Sequence, residues 1–491
     1  MYEALLKRET SLEKQTSSMV TADVVYILFC SFGVFLITPG IAMYYMGFMK
    51  RKNIVQVLFQ SYMTTAVVVI LWYLIGYSIA NSPSSSSTMY GDLAHAALHN
   101  EEAKPLLEDG SIPSVVNFCF NVFFPVATAQ IFLGAIGERG RVLPSQIIGI
   151  LFTIAVYSPQ AFWTWSGWLY NLGALDFAGG GPVHISSGVA SLVYSFYLGP
   201  RGHPEVKIGK VPHYKGHSAL TTFIGVTLIW GAWFCFNSGT LLAVNTRTGY
   251  IFLNTILASS FASVTYVILD KLITGKYSLM AACDGVIVGL VNITPSCGFY
   301  PPWAAAITSI INASICRSLG NFNQWVGIDD SSHSFVVHGV GGIIGSTLTG
   351  IFASKTIAGY DGVTDIEGGW INGHFVQLGH QIAAWTSIVI WTAVFTYIII
   401  FIVDHIPGCK VTADADAQEM GMDLYEMSET LDEFGNNYDE FFSSYAHRLR
   451  EIADAIDHHK NRHGTIEVLE GTSANGSDSI HSVNVHYEQK V

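Results

Sequence analysis

Asp176-Phe-Ala-Gly-Gly-Gly-Pro-Val-His184-Ile-Ser-Ser-Gly188 is the stretch whose reading decides the fold of this chain. An acid opens it, small residues follow, and a histidine then stands inside an apolar run. Far downstream comes a partial echo, Asp330-Ser-Ser-His333-Ser-Phe-Val-Val-His338-Gly-Val-Gly-Gly342. In both, the histidine follows the aspartate by eight residues. Both histidines begin runs long and apolar enough to cross a bilayer.

The surroundings agree with that reading. Of 491 residues, 50% are hydrophobic and only 12% are charged. A soluble chain carries about twice that charge fraction. The apolar residues come in roughly eleven runs of membrane-spanning length, and the fold class that follows is an all-α polytopic membrane protein. The expected spans are Val24–Phe48, Val55–Ala80, Val115–Gly137, Ile147–Trp165, Val183–Leu198, Ala219–Val244, Tyr250–Leu272, Leu279–Thr294, Trp303–Cys316, Ser334–Phe352 and Ile382–Val403. The domain organisation expected is an outer N-terminal tail (1–22), a membrane domain (23–407) and a cytosolic, partly disordered tail (408–491). The formal charge of -13 reflects acid crowded after Gly408, at Asp414, Asp416, Glu419, Asp423, Glu426, Glu429, Asp432 and Glu433. No basic patch points to nucleic acid. The seven cysteines fall mostly in apolar runs and none is spaced as CxxC, so neither a disulfide framework nor a metal site is expected.

Orientation is read from the lysines and arginines of the short loops. One alternate set of loops holds Lys50, Arg51, Lys52, Arg139, Arg141, Arg201, Lys207, Lys210, Lys215, Lys271, Lys276 and Arg317; the other holds Lys104, Arg247 and Lys355. The first set is expected to be cytosolic. That places the N-terminus outside and, with an odd number of spans, the long tail inside.

The Asp-to-His unit falls at the fifth span and again at the tenth. Five spans per unit is odd, so the second unit would be inverted in the membrane. Inverted repeats place a substrate site near the midplane, at the repeat interface. His184 and His338 are therefore expected to meet there. Ionisable groups inside a membrane are functional by default, and histidine can pass protons near neutral pH. From these residues two readings stand: a proton-handling pore, or a pair of axial ligands to a haem. The run Trp230-Gly-Ala-Trp-Phe-Cys-Phe-Asn-Ser-Gly-Thr240 reads as a packed aromatic face or as a vestibule for a small cation. Trp165 is placed to join such a vestibule, and Phe123 and Phe124 offer another pair of rings.

These motifs resemble those of ammonium transporters of the Amt/Mep/Rh group, the fungal Mep branch above all. The resemblance runs from Pro39-Gly-Ile-Ala-Met-Tyr-Tyr-Met-Gly-Phe48 to Ile406-Pro-Gly408. It is carried by Gly137-Glu-Arg139, Asp176-Phe-Ala-Gly-Gly180 with His184, Phe234-Cys-Phe-Asn-Ser-Gly-Thr240, Gly289-Leu-Val-Asn-Ile-Thr-Pro295, and Asp329-Asp330 with Val-His338-Gly-Val-Gly-Gly342. It implies a homotrimer of eleven-helix protomers, each with its own pore. His184 and His338 then match the twin pore histidines, and Phe124 and Phe236 the phenylalanine gate. Trp165 and Thr240 match the outer ammonium-recruitment residues, and Asp176 the acid that supports the fifth helix and the proton path. Phe123 and Trp163 are the neighbouring alternatives in register.

Three departures stand out. Pro125 follows the gate phenylalanine and is expected to kink its helix. Asp284, in Ala-Cys-Asp-Gly, replaces a residue that is neutral in the family. Ser428 stands in the tail motif Gly421-Met-Asp-Leu-Tyr-Glu-Met-Ser-Glu429 where the family has glycine, and is a candidate regulatory position for a kinase or signalling partner.

The expected function is electrogenic uptake of ammonium at the plasma membrane, with the lipid bilayer and ammonium or ammonia as partners. Ammonium would be recruited outside, deprotonated, and conducted as ammonia past the histidines. Alternatives are an ammonium sensor, or a passive Rh-type channel for ammonia or carbon dioxide. No covalent chemistry is required, so neither an enzyme nor a cofactor is expected.

Overall fold

A computed structural model describes residues 20–99, 110–201 and 216–430. Its longer helices, in chain order, are α1 (Thr21–Phe48), α2 (Arg51–Asn81), α3 (Ser114–Ile136), α4 (Val142–Leu172), α5 (residues 180–198), α6 (Ala219–Gly239), α7 (Thr246–Thr274), α8 (Leu279–Ile293), α9 (Pro302–Ser318), α10 (Phe335–Phe352) and α11 (Gln377–Asp404). Eight of them are long and apolar enough to cross a membrane. The shorter α5, α8 and α9 lie where the sequence places its fifth, eighth and ninth spans. The described residues add several short helical turns, among them Phe322–Val326, Lys355–Ala358, Ala415–Met420 and Met422–Glu426, and one isolated bridge, Gly140 to Thr412. The expected outer tail falls mostly on residues 1–19, and the far C-terminal tail on 431–491; both lie outside the described residues.

Proline sets where these helices bend. A proline ring clashes with the carbonyl four residues back and leaves it without a partner. Pro39 stands four residues after Phe35, where α1 is jointed at Leu36. Pro125 stands four residues after Asn121, where α3 is jointed at Val122. Pro159 follows a wide π turn over Thr153–Tyr157 of α4, a usual site for a bend.

α5 and α10 form the centre of the bundle. Both begin as π turns, over Gly180–Ile185 and Phe335–Val340, and each turn contains its histidine. They run in opposite directions: α5 starts at the end of the bundle near Trp165, here called the mouth side. α10 starts at the end that carries residues 408–430, the tail side. Glycine lets the two backbones touch. A Cβ on Gly188, four residues past His184, would lie 2.1 Å from the backbone nitrogen of Gly339. A Cβ on Gly342, four residues past His338, would lie 2.9 Å from Ile185. The crossing therefore repeats on both strands of a pseudo-twofold, as the shared spacing suggests. A second glycine stripe, Gly33, Gly40 and Gly47 on α1, faces Cys235, Ile229 and Thr222 of α6 in the same way. Small residues at such spacings are how helices pack where no water drives them together.

Charges collect at the ends. On the tail side the Arg201 guanidinium donates to both oxygens of Asp329, at 2.9 and 2.8 Å, and to Glu138 at 2.7 Å. All three are buried, and Arg139 donates to the Asp329 carbonyl at 2.5 Å. The proximal tail folds back over this end. Asp423 accepts from the backbone of Val55 and Gln56, at 3.0 and 2.8 Å, and so caps α2. Glu426 accepts from Arg141 at 2.8 Å and from the Val142 backbone at 2.6 Å, and so caps α4.

Two expectations follow. Gly188→Val puts side-chain atoms into the Gly339 backbone, an overpacking that neither helix can relieve locally. It should cost about 3 kcal/mol or more in a thermal or denaturant unfolding assay. Burial opposes the charge on Asp329, but the Arg201 guanidinium outweighs it and holds the carboxyl at about 2 against an ordinary 3.8. A depressed acid stabilises the fold above its unfolded pKa, and the effect fades as pH falls from about 4 through 2. The span of that loss is about 2 kcal/mol. A pH titration of the unfolding midpoint should show this acid step, and Asp329→Asn should remove it while lowering stability at neutral pH.

Candidate functional site

The site is a column of rings. It begins near the mouth side with Phe120, whose ring centroid is 5.2 Å from that of Phe124, edge to face. Phe124 stacks on Phe236 at 4.1 Å and 22°. Phe236 leans on Trp233 at 5.0 Å, and Trp233 stacks on the His184 ring at 5.3 Å and 15°. His184 stacks on His338 at 5.3 Å. Phe124, Phe236 and His184 are essentially without accessible surface. At a 4.1 Å centroid separation the two phenylalanine rings are in contact, with no gap between them. Phe124 rather than Phe123 makes this stack; Phe123 turns outward and meets Phe35 edge-on at 5.7 Å.

The hydrogen bonds around the histidines assign their tautomers. The Thr294 hydroxyl donates to the Leu290 carbonyl at 2.8 Å. Its oxygen accepts from the Trp233 indole N–H at 3.1 Å, leaving one lone pair facing His184 Nε2 at 3.3 Å. That nitrogen therefore carries the proton, and in a neutral ring His184 Nδ1 is bare. His338 Nδ1 lies 3.2 Å from it and donates. His338 Nε2 is left as a bare acceptor. The haem reading fails on this geometry: two axial nitrogens need about 4 Å between them to admit a metal, and these share a hydrogen bond.

Asp176 organises the mouth-side end. Its Oδ1 accepts from the backbone N–H groups of Gly179 and Gly180 at 2.9 and 2.7 Å, and its Oδ2 from Gly181 at 2.7 Å. These are the donors that the first turn of α5 would otherwise leave without partners. The Asp176 carbonyl also accepts from the Trp165 indole at 3.1 Å, which fixes that ring beside the same turn. Trp165 is partly exposed; Trp163 is buried against Trp391 and donates to the Met89 carbonyl. Thr240 lies one turn beyond Phe236 and donates to its carbonyl at 2.9 Å. Its hydroxyl proton is thereby used, and its oxygen is left to accept, as suits a cationic guest. Asp330 repeats the Asp176 pattern at the start of α10, accepting from the Phe335 backbone at 2.9 Å. Ser428 is exposed, two residues past the short helix Met422–Glu426.

Thr294 and Trp233 carry the tautomer assignment, yet sequence reasoning did not single them out. Both lie in motifs that it quoted, Asn-Ile-Thr-Pro295 and Trp-Gly-Ala-Trp. The signal available was a polar residue just before a helix-ending proline, at the depth of the fifth-span histidine.

Residues 25–431 match the sequence pattern of the Ammonium Transporter Family. The chain belongs to that family. It is similar to ammonium transporter 3 of Schizosaccharomyces pombe, with 43% identity over 473 residues covering 86% of this chain and 91% of that one. It is 35% identical over 408 residues to the ammonium transporter MEP2 of Saccharomyces cerevisiae, covering 82% and 81%. The crystal structure of Candida albicans Mep2 superposes with a TM-score of 0.77 at 36% identity, covering 82% of this chain and 88% of that one. A multi-pass membrane transporter of fungal Mep type is the identity these matches carry.

The triple backbone cap on Asp176 predicts an asymmetric response. Asp176→Asn keeps one oxygen but turns an NH2 toward the Gly181 N–H. Stability should fall by about 1–3 kcal/mol, and ammonium-dependent growth should fall strongly. Asp176→Glu keeps the charge and should retain part of the activity.

Proposed function

We propose that the protein takes up ammonium across the plasma membrane, with the N-terminus outside, the tail in the cytosol, and three copies of an eleven-span protomer forming the working unit. The lysines and arginines of the tail-side loops support the orientation. The observation that carries the reading is the ring column itself: a closed phenylalanine pair followed by two neutral, mutually hydrogen-bonded histidines, with no charged group between them.

Such a lining selects by proton rather than by size. Moving a bare ion of ammonium's size into a medium of low dielectric costs on the order of 20 kcal/mol. Removing its proton costs about 3–4 kcal/mol at neutral pH, for a pKa two to three units higher. Ammonia can therefore pass where potassium cannot. Trp165 and Thr240 hold the cation at the mouth, through a ring face and an acceptor oxygen. Its proton is lost near Phe124 and Phe236, and ammonia continues past His184 and His338.

The tautomers support a proton path alongside. From the opposite arrangement, with protons on His184 Nδ1 and His338 Nε2, a proton taken up at His184 Nε2 is passed on as the Nδ1–H is handed to His338 Nδ1 and the Nε2–H of His338 is released toward the tail. That leaves a proton on His184 Nε2 and on His338 Nδ1, the arrangement described above. Rotation of both rings would reset it. Net movement of one charge per ammonia follows, which separates this transporter from a passive gas channel. The caps that Asp423 and Glu426 place on α2 and α4 favour a regulatory role for the tail, alongside transport. Phosphate added at Ser428 would stand near Glu426 and Glu429 and repel them.

The test is ammonium-evoked current measured beside ammonia permeation, in cells lacking their own transporters. His338→Ala should cut current far more than gas permeation, because it breaks the relay and widens an apolar path. His184→Glu should keep current with altered pH dependence, since a carboxylate can carry a proton. Equal losses of both activities, in proportion to protein at the membrane, would refute the relay.

A further inference from the structure

Residues 294–300, which join α8 to α9, leave the helix while every one of them is buried. Irregular backbone inside a membrane protein is tolerated only where the rest of the protein satisfies its polar groups. The Ser296 carbonyl accepts from Phe299 and Tyr300 within the turn, at 2.8 and 3.1 Å, and that of Phe299 from Ser354 at 2.8 Å. The others face two ways. In front, Thr294 and Pro295 accept from the backbone of Ala178 and Phe177, at 3.1 and 2.9 Å, on the approach to the π turn that holds His184. Behind, the donors are side chains of α7. Asn254, fully buried, gives both amide protons, to the carbonyls of Cys297 at 2.9 Å and Tyr300 at 2.8 Å. Arg247 gives its Nε–H to the Gly298 carbonyl at 2.9 Å.

Arg247 and Asn254 are seven residues apart and so share one face of α7. The first turn of a helix is a poor place for arginine, because the dipole repels a cation there. Its partners account for it. The guanidinium lies over the rings of Phe177 and Phe299, 5.0 and 5.3 Å from their centroids. Its Nη1 donates to Asp361 at 2.7 Å and to Thr364 at 2.8 Å. One side chain thus fastens three segments to α7: residues 294–300, the approach to α5, and the loop between α10 and α11. In front, contact is already close. A Cβ on Gly180 would lie 2.6 Å from Pro295, and one on Gly298 2.3 Å from the Phe177 ring. The segment therefore has no room to advance on α5, and α7 keeps it from retreating. The Thr294 oxygen stands 3.3 Å from His184 Nε2. That is long for such a bond, so a retreat of a few tenths of an ångström would end it.

We propose that Asn254 and Arg247 are positioning residues for conduction: they hold residues 294–300 against α5 from behind, and so keep the Thr294 hydroxyl on His184. Both act through Thr294 rather than on the passing molecule. The proposal rests on the proton relay read above and names what keeps its first member in register. Without this backing His184 loses the acceptor that assigns its proton to Nε2, and the hand-off to His338 fails. The apolar column still admits ammonia.

The test measures ammonium-evoked current and ammonia permeation, each per protein at the surface, for the full-length chain in cells lacking their own transporters. Asn254→Ala should lower the ratio of current to permeation at least about fivefold, the worth of one lost interaction of middling strength. Arg247→Lys keeps the charge but cannot serve Gly298 and Asp361 together, and should lower the ratio part-way. Thr294→Val keeps the shape without the hydroxyl and should lower it alone; adding Asn254→Ala should then lower it no further. Thr294→Ser should preserve it. A role in folding alone predicts that both activities fall together and that the effects of Asn254→Ala and Thr294→Val multiply; either result overturns the proposal. Should Asn254→Ala fail to reach the membrane, Arg247→Lys decides: an unchanged ratio, or the same fold-change with and without Thr294→Val, overturns it. A wild type without current, or a His338→Ala protein with the wild-type ratio, sinks the relay itself. With the relay intact, an unchanged ratio in Asn254→Ala overturns this inference alone.

Discussion

The backbone contact between α5 and α10 is the constraint on which everything else rests. Two histidines can share a hydrogen bond only if the helices that carry them approach closer than ordinary side chains permit. Gly188 against Gly339, and Gly342 against Ile185, provide that approach from both sides. The π turns that hold His184 and His338 widen the helix locally and turn each ring toward the other. Aspartates then anchor both turns, Asp176 at one end of the bundle and Asp330 at the other. The Nδ1-to-Nδ1 distance of 3.2 Å is thus a product of glycines and caps, several residues removed from either ring.

A membrane interior imposes the second constraint, the cost of charge. The described ion pairs lie toward the ends of the helices: Arg201 with Glu138 and Asp329 on the tail side, Arg247 with Asp361 on the mouth side. Between them the column offers rings, one threonine and two neutral imidazoles. On the transport reading proposed above, this division gives the histidines their place in an otherwise apolar lining. A proton entering an apolar passage must reside on a group that can hold it and remain nearly apolar when it leaves. Imidazole meets both demands; lysine and arginine hold a proton too tightly to release it near neutral pH.

Much of this was legible in the sequence. Apolar runs marked the helices to within a few residues, since a bilayer permits no other way to satisfy the backbone. The equal Asp-to-His spacings pointed to α5 and α10. What the sequence could not show were partners far apart along the chain and joined only by packing. Thr294 reaches His184 across 110 positions, and Tyr44 reaches Asp284 across 240. The choice between Phe123 and Phe124 was equally closed to it, because adjacent residues on a helix point about 100° apart and only the partner decides which one faces inward. The tail read as solvated acid; its first part instead supplies caps to α2 and α4, a use of aspartate and glutamate that composition does not distinguish from solvation.

Those caps have a strength suited to release. Asp423 and Glu426 sit one turn apart on a short helix, and each meets the N-terminus of a different long helix, where backbone N–H groups and the helix dipole favour an anion. Such a dipole contact contributes about 0.3–1 kcal/mol at the surface, and the Arg141 pair is partly exposed and so adds less than a buried one would. The two caps therefore contribute only a few kcal/mol to the docked tail, beside the hydrogen bonds of Lys52 and Asn53 and the buried Met422. Were the carboxylates each gripped like Asp329, with a guanidinium on both oxygens, the tail would be a fixed strut. Placed at two helix ends and held mainly by backbone N–H groups, they suit the tail to the regulatory role proposed for it.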